Sequence, residues 1–287
     1  KHLVHIENLG SRVRHSGGKA AGNAKAQGEE EEDIADQIGA GAAAADAALD
    51  NLVDECEREI MHGSGVISIC GPLLSSLCRD KDLMGSHVQL RVAASLALTK
   101  LMCLDAKYCE ENLPVLFQIL GDRHNETEIR SNCVIALGDL VYRFPNKLEP
   151  WTAHIYSVLS DGNVKVRKHA LMVLSHLILN DMLKVKGHVS AIARLLLDED
   201  ERTAMFAELF FHELSRKTAT TVYNLIPDIL SNLSQDEGLT EDGFRRIMTH
   251  VLGFIQRDKQ TDGLVEKLCH RFDPRAEASI NRHVAFC

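Results

Sequence analysis

The sequence predicts an all-α fold, an α-solenoid of about five stacked helical hairpins. The first observation behind this prediction is a segment that recurs along the chain and begins with an arginine, at Arg91, Arg130 and Arg167, with a weaker copy at Arg202. These arginines are 39, 37 and 35 residues apart (130−91, 167−130, 202−167). A period in this range marks an array in which each unit buries one face only by stacking on its neighbour.

The second observation is an apolar pattern inside each copy. A leucine lies seven residues after every arginine, at Leu98, Leu137, Leu174 and Leu209. An apolar or small residue lies three residues after it, at Ala94, Cys133, Ala170 and Met205. Spacings of three and four residues place these side chains on one face of a helix, so we predict that the leucine column is core. A fifth copy is predicted at Arg245, with Met248, Leu252 and Ile255 in register.

The third observation is the alternation of helical-period apolar stretches with short polar turns, with no long period-2 segment that would indicate a strand. The predicted helices span 47–61, 64–79, 86–103, 107–120, 125–143, 148–160, 163–180, 187–197, 200–215, 219–233, 240–257 and 261–271. Prolines in the first helices of the pairs are expected to bend or start them. Paired helices, this period and an arginine early in the second helix resemble HEAT repeats.

The array is predicted to occupy residues 47–273. Residues 1–10 are expected to be a tail or the end of a preceding helix. Residues 11–46 combine glycines, an acidic run and alanines with very few large apolar side chains, so a disordered low-complexity linker is predicted there. Residues 274–287 are expected to form a tail that leads into a further helix.

Composition restricts the classes of function. The net charge of −9 excludes a general affinity for nucleic acid. A chain with this net charge can still carry a local basic stripe that binds nucleic acid. No apolar run approaches the roughly 18 residues of a membrane helix, so no membrane association is expected. The eight cysteines form no Cys-x-x-Cys pair and are predicted to be free thiols rather than a metal site or disulfide framework. No catalytic constellation, cofactor motif or metal-ligand spacing occurs, so the chain is predicted not to be an enzyme.

Two groups of residues are candidates for binding. Basic side chains around one repeat are predicted to contact the phosphates of double-stranded DNA, with a solvated face and ion pairing between repeats as the alternative: Lys165, Arg167, Lys168, Lys184 and Lys186. A second group at a repeat junction is predicted to bind a partner protein, with simple packing as the alternative: Arg143, Phe144 and Trp151.

Several strings carry a more specific resemblance, to the HEAT-repeat subunit 1 family of condensin I. They include Ile129-Arg-Ser-Asn, Arg143-Phe-Pro-Asn, Val166-Arg-Lys, Asp181-Met-Leu-Lys-Val-Lys-Gly187 and Phe210-Phe-His-Glu-Leu-Ser215, and the resemblance covers roughly residues 47–287. It implies a non-catalytic subunit of a hetero-oligomer that binds the kleisin subunit and an SMC ATPase head and contributes to DNA contact in mitotic chromosome condensation. It also implies a location in the nucleus and on chromosomes, and in the cytoplasm outside mitosis.

A second class of function stays open on the sequence alone. A generic HEAT adaptor or transport receptor would use the same stacked hairpins to hold peptide segments in a groove. The two functions differ in their partners, because only the condensin subunit is expected to bind a kleisin and DNA.

Overall fold

The computed structural model describes residues 40–184, 187–217, 221–255, 258–270 and 278–287, and it divides the chain into two units, residues 1–59 and 60–287. The described part of the first unit belongs to helix α1 (Ala40–His62). This helix begins inside the predicted linker 11–46 and ahead of the predicted start of the array at residue 47. The rest of the linker and the predicted tail 1–10 lie outside the described residues.

The second unit is a row of helical hairpins, and its described residues contain no strand. The first three hairpins consist of α2 (Val66–Arg79), α3 (Lys81–Ser86) and α4 (Val88–Met102); α5 (Ala106–Gly121) and α6 (Thr127–Arg143); and α7 (Pro145–Leu148), α8 (Thr152–Ser157) and α9 (Val164–Leu179). The next two consist of α10 (Val189–Arg194) and α11 (Glu201–Lys217), and of α12 (Thr221–Ser234) and α13 (Glu241–Leu252). The last two described helices, α14 (Asp258–Cys269) and α15 (Ala278–Phe286), both pack against α12. This architecture confirms the predicted α-solenoid.

The first helices of the hairpins differ in how they accommodate proline. Pro72 and Pro114 lie inside α2 and α5, which continue past them. The segment predicted as one helix over 148–160 is instead a chain of short pieces, in which α7 and α8 alternate with the 3₁₀ turns Glu149–Trp151 and Val158–Ser160. Pro145 begins the first piece and Pro150 lies in the first 3₁₀ turn. Because proline has no N–H and its ring clashes with the preceding turn, a regular helix is interrupted there.

The second helices α4, α6, α9 and α11 supply most of the core through equivalent positions. The seventh residue of each helix is buried and small: Ala94, Cys133, Ala170 and Ala207. The eleventh is buried and large: Leu98, Leu137, Leu174 and Phe211. The predicted leucine column is therefore core in the first three copies. Small residues at the seventh position leave room for neighbouring helices to pack closely.

The fourth copy of the repeat was predicted in the wrong register. Met205 and Leu209, which were predicted to be core, are 62% and 53% exposed. In the first three copies the recurring arginine is the fourth residue of its helix, whereas the fourth residue of α11 is Ala204 and Arg202 lies two residues earlier. The side chains that point into the core are instead Thr203, Ala207, Phe210, Phe211 and Leu214. The predicted fifth copy is shifted as well, because Phe244 is the fourth residue of α13 and Arg245 is exposed.

The arginines of the first three copies join successive hairpins. Arg91 pairs with Glu126, Arg130 with Asp161, and Arg167 with Asp198, so each guanidinium reaches the turn before the next second helix. Hydrogen bonding by the Arg91 guanidinium lowers the pKa of Glu126 below its ordinary value. The ion pairing between repeats that the sequence offered as an alternative is therefore the observed arrangement for this column.

All eight cysteines are free thiols. Burial raises the pKa of Cys78 to about 11 and the pKa values of Cys109 and Cys133 to about 12. A thiol with such a pKa carries almost no reactive thiolate at neutral pH, so these side chains serve as apolar packing.

Candidate binding surfaces

The predicted DNA-contacting residues at the start of α9 have different surroundings. Arg167 is buried, and its Nε and Nη2 atoms donate to the two carboxylate oxygens of Asp198 at 2.7 and 2.9 Å. The ammonium group of Lys168 lies 5.4 Å from the ring centroid of Phe206, which belongs to the next second helix. Lys165 is exposed and Lys168 is partly exposed. The two lysines are accessible to a ligand, whereas the guanidinium of Arg167 is already satisfied by the protein.

The other two basic candidates follow the same helix in the sequence. Lys184 is exposed, and its Nζ lies 3.1 Å from a carboxylate oxygen of Glu149. Lys186 falls outside the described residues. Because α9 has 16 residues and rises about 1.5 Å per residue, its two ends are separated by roughly 24 Å. The structure therefore does not bring Lys165 and Lys184 into one compact patch. A single ligand would contact both lysines through its phosphates only if it extended along α9.

The aromatic candidates at the junction of the second and third hairpins are partly buried. The Trp151 ring stacks on Phe117 of α5, with centroids 4.7 Å apart and an interplanar angle of 4°. Phe144 packs against the core at the end of α6, and the guanidinium carbon of Arg143 lies 5.6 Å from its ring centroid. One face of the Trp151 ring is thus used within the protein. The exposed side chain of His154 lies 5.4 Å from the Trp151 ring and completes a small aromatic surface.

An apolar groove between α11 and α13 is a feature that the sequence prediction missed. It has a volume of about 490 Å³ and is lined by Arg202, Met205, Phe206, Glu208, Leu209, His212 and His250. Ring contacts join the second half of α11 to α13 and to the segment after it, between Phe211 and His250 at 6.4 Å and between His212 and Phe254 at 6.1 Å. The groove therefore follows the exposed face of α11 from Arg202 to His212.

A signal for this groove is present in the sequence at the eighth residue of the second helices. That residue is buried in the first three copies, as Ser95, Val134 and Leu171. In α11 it is Glu208, and it is exposed. A carboxylate is rarely buried without a partner, so its appearance at this position indicates that the next helix does not cover that face. The wrong register predicted for the fourth copy concealed the significance of Glu208, because that register assigned Met205 and Leu209 to the core.

Metal sites and membrane spans are the other kinds of feature that the fold could carry. No group of three or more metal-ligating side chains occurs within the described residues. No single helix in the described ranges has the length and apolarity of a membrane span, although helices α1 and α2 reach that threshold when they are taken together as a bent pair. Stacked hairpins whose exposed faces carry basic, aromatic and apolar surfaces define a helical-repeat scaffold of the HEAT type.

Comparison with known proteins places this scaffold in a family. The family model for the non-SMC mitotic condensation complex subunit 1 matches residues 128–287. The chain is 48% identical over 235 residues to the condensin-1 complex subunit CAP-D2 of Arabidopsis thaliana, a match that covers 80% of this chain and 16% of that protein. It is 44% identical over 248 residues to condensin complex subunit 1 of Mus musculus, covering 86% of this chain and 18% of the mouse protein. The chain belongs to the condensin subunit 1 family.

More distant similarity extends beyond this family. The condensin-2 complex subunit CAP-D3 of Arabidopsis thaliana is 27% identical over 131 residues, covering 45% of this chain and 10% of that protein. Among solved structures, a computationally designed armadillo repeat protein for modular peptide recognition aligns with a TM-score of 0.41 and 16% identity, covering 75% of this chain and 97% of that protein. The chain spans less than a fifth of the length of the condensin relatives named above. Membership of the condensin subunit 1 family favours the predicted condensin function over the generic adaptor or transport receptor.

Proposed function

We propose that this chain is a segment of a non-catalytic scaffold subunit of condensin, which binds the kleisin subunit and the SMC ATPase head in mitotic chromosome condensation. The observation that carries this proposal is the identity of 43–48% to condensin subunit 1 proteins from a plant and from vertebrates over at least 80% of the chain. The stacked hairpins support it physically, because a solenoid offers long exposed helix faces to extended partners. Its place of action would be the nucleus and the chromosomes, and the cytoplasm outside mitosis.

Membership of the complex is tested by co-purification. We expect the full subunit that contains this chain to retain the kleisin and SMC subunits through size-exclusion chromatography at physiological salt. Deletion of residues 60–287 should abolish binding to at least one of these partners. A subunit that elutes without either partner would overturn the proposal.

The partner-binding role of Arg143, Phe144 and Trp151 rests on the aromatic surface at the second junction. Because Trp151 stacks on Phe117, its replacement would disturb packing as well as binding. The exposed Arg143 is therefore the residue to change, and Arg143→Glu should weaken retention of a partner without a decrease in helical content.

The DNA-contacting role rests on the accessible lysines at the two ends of α9. Lys165 and Lys168 lie at one end of the roughly 24 Å helix and Lys184 lies beyond the other, a span that a DNA duplex can bridge. Arg167 is left out of this surface, because its guanidinium is held by Asp198. The proposed contact is with phosphates and does not depend on base sequence.

Charge reversal at one end of α9 at a time separates the contribution of Lys165 and Lys168 to DNA binding from that of Lys184 and Lys186. We expect the pair Lys165→Glu and Lys168→Glu to weaken binding of double-stranded DNA. The slope of log K against log salt should become shallower by about 0.9 for each phosphate that the variant no longer neutralises. Lys184→Glu with Lys186→Glu should act in the same direction if the duplex lies along the helix. The measurement is a fluorescence-anisotropy titration at several salt concentrations.

The matched control for this experiment is the pair Lys259→Glu and Lys267→Glu on α14, which changes the net charge equally. Both of these lysines are exposed. The control should alter affinity less than the α9 variants and leave the salt slope unchanged. Equal effects from the control and from the α9 pairs would show that only the net charge matters.

A further inference from the structure

At the groove between α11 and α13, α11 leaves more of one helix face exposed than the earlier second helices do. Successive second helices pack against each other from α4 to α6, from α6 to α9 and from α9 to α11. In α4, α6 and α9 the eighth residue of the helix is buried. In α11 the fifth, eighth and twelfth residues are exposed, as Met205, Glu208 and His212, whereas their counterparts in α4, α6 and α9 are buried or partly buried. The ninth residue is exposed in all four helices, and in α11 it is Leu209. The fifth, eighth and twelfth positions of α11 are therefore less covered by neighbouring helices than in the earlier repeats.

The apolar content of the groove indicates a protein ligand. Met205 and Leu209 are large side chains in contact with solvent, and the partly exposed Phe206 also lines the groove. A contiguous apolar surface of this kind is characteristic of a protein interaction site. Phosphates would gain little from these side chains and would be repelled by Glu208. The groove adjoins Lys168, whose ammonium group lies 5.4 Å from the ring centroid of Phe206, but its own lining is mainly apolar rather than basic.

The length and the charges of the groove describe its occupant. From Arg202 to His212 the lining covers ten residue steps of α11, or about 15 Å, which equals two to three turns of a helix. Arg202 lies at one end of the groove and Glu208 lies farther along it. The Nε2 atom of His250, which also lines the groove, is buried and has no hydrogen-bond partner in the described part of the chain.

We propose that the groove between α11 and α13 is the docking site for an amphipathic α-helix of another subunit of the complex. The apolar stripe of that helix, at positions i, i+3 or i+4, and i+7, packs on Met205, Phe206 and Leu209. An acidic residue on its flank faces Arg202 and a basic residue faces Glu208. The partner helix covers the fifth, eighth and twelfth positions of α11, which are buried or partly buried in the earlier second helices. This inference rests on the proposed function, because it requires that the subunit be assembled with its partners.

Site-specific photo-crosslinking in the assembled complex tests the proposal. A benzophenone amino acid is placed at Met205 or Leu209 of the full subunit, and crosslinked peptides are identified by mass spectrometry. We expect both positions to crosslink to one segment of another protein subunit, at residues spaced by three, four or seven. The control position is Val265 on α14, which is 53% exposed, as is Leu209. It should not capture that segment.

The outcomes of this experiment distinguish the inference from the proposed function. Crosslinks to DNA, to a second copy of this chain, or to no subunit of a fully assembled complex would overturn the helix-docking proposal and leave complex membership standing. Failure of the complex to assemble would overturn both. Crosslinks to residues with a spacing of two would indicate an extended strand and would also contradict a helical occupant.

A charge reversal in the groove gives a second, independent measurement. Glu208→Lys changes an exposed side chain, so we expect the thermal unfolding of the subunit to be unchanged. Affinity for a peptide of the crosslinked segment should fall about tenfold, and exchanging the facing basic residue of the peptide for glutamate should restore it. Val265→Lys should leave the affinity unchanged. An affinity that does not respond to Glu208→Lys would contradict the proposed orientation of the helix.

Discussion

Leu137→Ala is expected to lower the free energy of unfolding of the array by about 2–5 kcal/mol. Leu137 is 2% exposed and lies in the centre of α6, which packs against the second helices on both of its sides. Removal of its isobutyl group takes away buried apolar surface and leaves a cavity that the flanking helices fill only in part. Denaturant unfolding followed by circular dichroism, together with hydrogen exchange of the α6 amides, would measure the decrease in stability.

The control for this substitution is Ile135→Ala on the same helix. Ile135 is 47% exposed, so we expect it to cost less than about 1 kcal/mol. The two variants remove apolar groups from different faces of α6 and thus compare burial directly. A cost for Leu137→Ala below about 0.5 kcal/mol would show that the register of the second hairpin is wrong.

Arg167→Met should destabilise the array by about 3–5 kcal/mol, because it leaves a buried carboxylate without its partner. The Asp198 side chain is 3% exposed and accepts hydrogen bonds from both Nε and Nη2 of Arg167. Hydrogen bonding by Asp198 raises the pKa of Arg167 above its ordinary value, so the guanidinium stays charged at all ordinary pH values. Thermal and denaturant unfolding would show a lower stability, most strongly for the third and fourth hairpins.

Two further variants test the electrostatic explanation. The double variant Arg167→Met, Asp198→Asn removes the uncompensated charge and keeps the amide oxygen, so we expect it to be more stable than Arg167→Met alone. Arg216→Ala breaks an exposed pair with Glu213 within one helix and should cost less than about 1 kcal/mol. If the double variant were no more stable than Arg167→Met, poorer packing rather than the buried charge would explain the effect.

The arginine column shows how one motif can suggest function and yet serve structure. Arg167 was predicted to bind DNA because it stands beside Lys165 and Lys168. The structure places its guanidinium against Asp198 in the turn of the next hairpin, while the two lysines stay exposed or partly exposed. Neighbours in sequence at the start of a helix point in different directions, since each residue is rotated by about 100° from the last. Only the packed array shows which of them faces solvent.

Local patterns in the sequence were enough to predict most of the helices, their pairing and the period of the array. Apolar residues at spacings of three and four define a helix face, and turn residues end each helix. The core column at Leu98, Leu137 and Leu174 could be predicted for the same reason. The resemblance to the condensin subunit 1 family was also accessible, because it is carried by strings of residues rather than by geometry.

Tertiary packing, in contrast, settles which helix faces are covered. Met205 and Leu209 fit the sequence pattern of the core as well as Leu137 does, yet they line an open groove. A local pattern gives the direction of an apolar face, but burial depends on whether a neighbouring helix reaches that face. At α11 the next second helix makes ring contact in the second half of the helix, between Phe211 and His250. The distance between Lys165 and Lys184 is also a property of the folded chain, because the length of α9 keeps the two side chains apart.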